Sequence, residues 1–321
     1  MSVWGPAAMR SRPRRYDTLR LGGPLDEDRP QGCHEAVEGK RMGLVGGREV
    51  LAAARAGRYA VPAFNVFNLE MLQAVYRAAE AERAAVIVQV SPRSVAYAGL
   101  RPLAVLAAAL AEPVAVPIVL HLDHGPDLAA CRDALAQGFT SVMFDGASLP
   151  FAENVARTRE VVALAHAAAA SAEAELGEIG HVSHSPAAVT LTDPEAAARF
   201  VAQTGVDALA VAIGTVHGMR ETGAVLDIPR IAALRQHVDA ALVMHGSSGV
   251  DDETLVRAIE AGMVKVNLST ALQRVFMDKL RASAAAPGHE TDARAVLGEA
   301  REAVEEAIRH RIRLVGAAGR V

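Results

Sequence analysis

The apolar run VPIVL leads straight into HLDHG, His121 to Gly125, so a buried-looking strand ends in two imidazoles and a carboxylate. Such an ending offers metal ligands and a proton carrier side by side. Two further histidines stand in the same kind of place. His217 in GTVHG and His245 in LVMHG each close an apolar stretch and are followed by glycine. Neutral imidazole suits zinc, and three protein ligands leave a coordination position open for substrate. His124, His217 and His245 are therefore the candidate ligands of a Zn2+ ion. A lone histidine at a strand end is more often a hydrogen-bonded structural residue; the joint pattern carries the reading. Asp145 and Glu175, acids at the ends of neighbouring runs, could orient the imidazoles, hold a second cation or replace a ligand. Asp123, next to His124, is placed for proton transfer to a substrate. His121 and Asp123 share one face of the strand, because Leu122 between them points the other way. His121 then reads either as an outer partner of the site or as a satisfied structural histidine.

The elements that must position these residues alternate along the chain. Eight short β-type runs start at Tyr59, Ala84, Val116, Thr140, Ser171, Asp207, Ala240 and Met263, apolar on both faces. Longer segments of helical period separate them. NLEMLQAVYRAAEAER has Asn68 as N-cap and Met71, Leu72, Val75 and Ala79 on one face. TDPEAAARFVAQTG opens with the cap-and-first-turn pair Asp-Pro and closes on Gly205. A further helix, about residues 291 to 312, follows the eighth strand with the stripe Leu297, Ala300, Val304 and Ile308. This order predicts an α/β fold, a (β/α)8 TIM barrel with an extra C-terminal helix, over residues 43–321. An open doubly wound sheet is the alternative, weakened because no GxGxxG follows the first strand. In a barrel, the C-terminal strand ends form the active face. That face would carry Asn65, Ser91, Asp123, His124, Asp145, Glu173, Glu175, His217, His245, Asn267, Ser269 and Thr270.

Composition excludes several classes. A chain of 321 residues with 51% hydrophobic residues is ample for one large domain, and its net charge of −4 gives no basic surplus for nucleic acid. No apolar run reaches the ~20 residues of a membrane span. Cys33 and Cys131 have no metal-type spacing, so a reducing, cytoplasmic compartment is expected. Residues 1–42, rich in Arg, Gly, Pro and acids without apolar periodicity, read as a disordered tail or an over-extended start.

The loops after strands six to eight, HGM, HGSSG and NLST, present hydroxyls and backbone N–H groups where barrels commonly hold phosphate. With these loops in place, AVPAFN, HLDHG, DGASLPFAENV, AELG, LAVAIGTVHG, LVMHGSSG and KVNLST, in this order, strongly resemble the class II, metal-dependent ketose-bisphosphate aldolases. The resemblance runs from about Gly43 to the C-terminus. It implies zinc on His124, His217 and His245, with Asp145 and Glu175 as acids near the metal. It implies Asp123 as proton donor to the aldehyde-derived oxygen. Gly218, Gly246, Ser248, Asn267 and Thr270 match the dihydroxyacetone phosphate pocket, and Asn65 and Ser91 match polar groups lining the substrate site. It also implies a monovalent cation, Na+ or K+, near the phosphate, and a homodimer or homotetramer. Retro-aldol cleavage leaves an enediolate, whose charge a dication stabilises where it develops. Lys265 is not needed as a Schiff-base nucleophile.

Fructose 1,6-bisphosphate is the commoner substrate of such enzymes, whereas FAENV and the tail GAAGR resemble the tagatose-type branch. Two departures stand out. The family's mobile loop carries an acid for proton transfer, but here EIGHVSHSPAAV has His181 and His184 and no acid between Gly180 and Pro186. Either histidine is the candidate substitute base. The family's lysine after the loop-six HG is replaced by Arg220, which can also hold phosphate. The missing acid keeps open a metal-binding homologue without turnover, and the three histidines alone would also suit a zinc hydrolase.

Overall fold

The computed structural model describes residues 43–177, 179–180, 191–219, 221–289 and 291–321. The expectations for residues 1–42, and those for His181, His184 and Arg220, lie outside the described residues. Eight parallel strands close into a barrel in sequence order: β1 Val61–Asn65, β2 Val86–Val90, β3 Ile118–Gly125, β4 Ser141–Phe144, β5 Ser171–Leu176, β6 Ala208–Val211, β7 Ala241–Met244 and β8 Met263–Leu268. Each of the eight expected runs forms one of them. Helices cover the outside: α1 Gly47–Gly57 before β1, α2 Leu69–Glu82, α3 Pro92–Ala98, α4 Leu100–Ala111, α5 Leu128–Ala136, α6 Phe151–Ala167, α7 Pro194–Thr204, α8 Ile228–His237 and α9 Asp252–Ala261. Two helices, α10 Thr270–Ala284 and α11 Ala293–Leu314, follow β8, and α11 is the extra C-terminal helix.

Local chemistry sets the helix ends. The Asn68 side chain accepts a hydrogen bond from the Met71 amide at the start of α2. Asp193 does the same for Ala196 ahead of Pro194, and α7 stops at Gly205 in the left-handed conformation. On α11 the buried residues Ala300, Val304, Ile308 and Ile312 recur at helical spacing, and this stripe packs against α2 and α10.

The expectation of strands apolar on both faces holds only for the helix-facing side. The barrel interior carries Gln89, His121, Ser141, Glu173 and Lys265, all buried, with Asn65, Asp123, Glu175 and Asn267 one step nearer the C-terminal mouth. Alternation along a strand places His121 and Asp123, Glu173 and Glu175, and Lys265 and Asn267 on shared faces. The barrel is thus filled by two polar tiers. These groups tolerate burial because they bond one another.

Candidate metal centre and active-site cleft

The upper tier opens into a cavity of about 1380 Å³ at the C-terminal mouth. Its walls include Asn65, Ser91, Asp123, His124, Asp145, Glu175, His217, Gly218, His245, Gly246, Ser248, Asn267 and Thr270. Every expected site residue within the described part of the chain therefore meets in one cleft, except Glu173, which lies in the tier below.

The end of β3 shows how HLDHG works. Pairing with β4 shifts register between Leu122 and Gly125, and His124 sits there at φ 50°. A strand without this irregularity would send Asp123 and His124 to opposite faces. The left-handed residue turns both toward the mouth. Gly125 follows because a Cβ there would meet the Met143 carbonyl oxygen. Gly246, after β7, has φ 66°, and a Cβ on it would stand 2.9 Å from the Val216 carbonyl oxygen. Both glycines let neighbouring loops close around the histidines.

Two of the imidazoles, His124 and His245, are held by carboxylates on their outer sides. His124 Nδ1 lies 2.7 Å from Asp145 Oδ2. His245 Nε2 lies 3.1 Å from Glu173 Oε1. A nitrogen facing a carboxylate donates its proton, which leaves the lone pairs of His124 Nε2 and His245 Nδ1 turned inward. These two nitrogens are 3.0 Å apart. The His217 ring completes the group, its centroid 5.3 Å from that of His124 and 5.7 Å from that of His245. One nitrogen from each of the three lies within 4.8 Å of the others, and His124, Asp145 and Glu175 form a second such set. Two facing lone pairs need a proton or a cation between them, so the donor set fits a resident metal ion. Buried Asp123 Oδ1 and Glu175 Oε2 have no hydrogen-bond partner among the described residues. They stand 3.9 Å from His124 Nε2 and 4.0 Å from His245 Nδ1, respectively.

The electrostatics agree. Burial disfavours charge on His124, but Asp123, the Asp145 hydrogen bond and Glu175 outweigh it and push its pKa up to about 10. Burial and the neighbouring His124 hold His245 well below the usual histidine range. Burial, then the Asp145 charge, push Glu175 up to about 8. Burial works against ionised Asp123, yet His124, His245, Lys265 and the Asn65 hydrogen bond hold it below the usual carboxylate range. The site favours a single concentrated positive charge between the imidazoles.

Beneath this layer runs a hydrogen-bonded chain, which includes His121 and whose pairings across the barrel the sequence does not show. Lys265 Nζ donates to Glu173 Oε2 at 2.7 Å, and His121 Nδ1 lies 2.7 Å from Ser141 Oγ. Lys265 Nζ and His121 Nε2 are 3.4 Å apart. Gln89 Nε2 donates to Asn65 Oδ1 at 3.1 Å, and Asn65 Nδ2 donates to Asp123 Oδ2 at 2.7 Å. Asn65 therefore aims Asp123 as well as lining the cleft. On three strands a polar residue stands two places before a cleft residue, in HLD, EAE and KVN. The loop donors gather on the opposite wall. Ser248 Oγ accepts from the Ala271 amide at 3.3 Å, beside Thr270, and the Ser247 hydroxyl donates to the Asn267 carbonyl. The His217 amide donates to the Gly180 carbonyl at 2.8 Å, which joins the loop after β6 to the segment after β5.

Three imidazoles, from the ends of β3 and β7 and the loop after β6, meet at the mouth of a (β/α)8 barrel, where they could hold a metal ion beside the cleft. The model of the class-II fructose-bisphosphate aldolase family matches residues 45–320, and the chain belongs to that family. Among solved structures, the YdjI aldolase from Escherichia coli K12 is 33% identical with a TM-score of 0.77, covering 86% of this chain and 98% of its own. A Coccidioides immitis protein described as a fructose-1,6-bisphosphate aldolase is 31% identical with a TM-score of 0.76, over 84% of this chain and 96% of its own. The fructose-bisphosphate aldolase of Campylobacter jejuni shares the fold at 22% identity, with a TM-score of 0.76 over 87% of this chain and 97% of its own.

Proposed function

We propose that this chain is a zinc-dependent aldolase that reversibly cleaves a ketose 1,6-bisphosphate to dihydroxyacetone phosphate and an aldehyde. Fructose 1,6-bisphosphate stands first among substrates, with tagatose 1,6-bisphosphate second. The observation that carries the reading is the inward-facing pair His124 Nε2 and His245 Nδ1, 3.0 Å apart beside Asp123. Family membership and the name given to the Coccidioides relative support the same substrate class.

His124, His217 and His245 would hold the ion, with Glu175 and Asp145 at its margin. When bound, a dication supplies Lewis-acid stabilisation of negative charge on the dihydroxyacetone phosphate half. Gly218, Gly246, Ser248, Asn267 and Thr270 bind that half and its phosphate through amides and hydroxyls, with Arg220 as a cation for the same phosphate. A Na+ or K+ ion beside it is the accompanying expectation. Asp123, aimed by Asn65, gives a proton to the aldehyde-derived oxygen in condensation and removes it in cleavage. His181 and His184 are the candidate bases for the proton at carbon. Separate alanine substitutions test them, and unchanged turnover in both discards that role.

The test is a panel of ketose phosphates with coupled detection of dihydroxyacetone phosphate, before and after EDTA and on zinc readdition. Release that EDTA abolishes and zinc restores is the expected result. Zinc binding without release from any member would make the chain a metal-binding homologue. Free phosphate in place of triose phosphates would make it a hydrolase.

A further inference from the structure

The motif DGASLPFAENV begins with Asp145, and its later polar residue, Asn154, does not line the cleft. Asn154 is nonetheless buried, although it stands near the start of an outer helix, α6. The chain between the two folds back on itself. The Leu149 amide donates to the Gly146 carbonyl at 2.9 Å, and Pro150 leads into the helix. Helical side chains lean toward the helix N-terminus, so Asn154 reaches back to the barrel mouth.

Both ends of its side-chain amide are engaged there. Asn154 Nδ2 donates to the main-chain carbonyl of Glu175, at the end of β5, at 3.0 Å. Its Oδ1 accepts from Thr158 Oγ1 at 3.1 Å, which fixes the sense of the amide. The same group lies against Gly146, where a Cβ would strike Oδ1 and stand 2.8 Å from Asn154 Cγ. One buried amide thus touches the residue after Asp145 and the main chain of Glu175. The two carboxylates it lies between both face imidazoles. Asp145 Oδ2 is 2.7 Å from His124 Nδ1. Glu175 Oε2 is buried without a hydrogen-bond partner among the described residues, 4.0 Å from His245 Nδ1. With His124 they form the second close set of donor atoms. Such a set works only when its atoms are held to within about 0.5 Å.

We propose that Asn154 is a positioning residue of the metal centre: it fixes the spacing of the β4 and β5 ends and so the reach of Asp145 and Glu175 toward the ion. Without its Nδ2 donor the end of β5 can shift, and without its bulk the turn at Gly146 can relax. This rests on the metal-site reading of the cleft and is independent of which sugar is cleaved.

The experiment measures metal binding. Asn154→Leu keeps most of the volume and loses the donor, and Asn154→Ala loses both. Asn154→Ser replaces them where neither folds. Thr204→Val is the comparison. It removes a buried hydroxyl that donates to the Phe200 carbonyl at 2.8 Å, at the end of α7 where the chain enters β6, away from the mouth. Zinc affinity is read by chelator competition, ligand geometry from the visible spectrum of the Co2+-substituted protein, and stability from the melting of the metal-free protein. The Asn154 variants should bind zinc about 10- to 100-fold more weakly than the native protein, as for other residues that orient ligands from outside, with a shifted Co2+ spectrum. Thr204→Val should melt earlier with native affinity and spectrum. Native affinity and an unchanged spectrum in a folded Asn154 variant overturn the proposal and leave the metal reading standing. An equal loss of affinity in Thr204→Val also overturns it, because the effect then follows stability alone. A native protein that binds neither zinc nor cobalt overturns the metal reading, and the role of Asn154 with it.

Discussion

His245 is the residue on which the site turns. Its Nε2 faces Glu173, and Glu173 is in turn fixed by Lys265, so the tautomer that leaves Nδ1 free is set from below. Glu173→Gln keeps the shape but weakens this control. It should lower zinc affinity by about 10- to 100-fold in a chelator competition. Lys265→Met strands the Glu173 charge inside the barrel and should cost about 3–5 kcal/mol in denaturant unfolding. Asp123→Asn should lower kcat by about 10²- to 10⁴-fold with zinc content retained, as for loss of a general acid–base. His124, His245 and Asp123 were legible in sequence because each closes an apolar run, and His217 because its HG pair follows one. The ion pair of Glu173 with Lys265 was not, although Glu173 itself stood out as a polar residue of the fifth strand. The two lie in mid-strand and bond across the barrel, between residues 92 positions apart, a pairing that no local pattern encodes.

At the scale of elements, the end of β3 does the positioning. Gly125→Ala forces a Cβ toward the Met143 carbonyl of β4, and this overpacking should cost about 1–3 kcal/mol and loosen the metal site with it. Cys131 on α5 packs under the same corner, its thiol 3.6 Å from that carbonyl. Burial, then Asp127, push the Cys131 thiol up to about 12. It should stay unmodified by thiol reagents at pH 8 in the folded protein, as peptide mapping would show, and react once the chain is denatured. Strand ends and helix caps were readable because Asn68, Asp193 and Gly205 act on their own neighbours. The irregularity at His124 was not, because a left-handed histidine has no sequence signature. Yet it is what brings Asp123 and His124 to one cleft.

Over the whole molecule, the barrel brings together groups far apart in the chain, and α11 closes its outside. Glu82 at the end of α2 accepts from Arg309 and Arg313 of α11. The Arg313 hydrogen bond, opposed by partial burial and reinforced by Arg309, holds the Glu82 carboxyl below its ordinary range. A depressed carboxylate stabilises the fold above its unfolded pKa, and that contribution disappears as pH falls through the folded value. The melting temperature of Glu82→Gln should therefore lie below that of the native protein at pH 7, and the gap should close in acid below the ordinary glutamate range. The barrel itself was legible from eight alternating runs. Its polar interior was not, because one buried lysine or glutamate within an apolar run is invisible to periodicity. The central claim is also a property of the whole chain: His124, His217 and His245 come from β3, the loop after β6 and the end of β7, and must share one ion. Zinc K-edge X-ray absorption on the purified protein tests this most directly. The account predicts three imidazole nitrogens at about 2.0–2.1 Å, completed by oxygen, with one imidazole lost in His245→Ala. Zinc held by sulfur, by fewer than three imidazoles, or not held at all would contradict it.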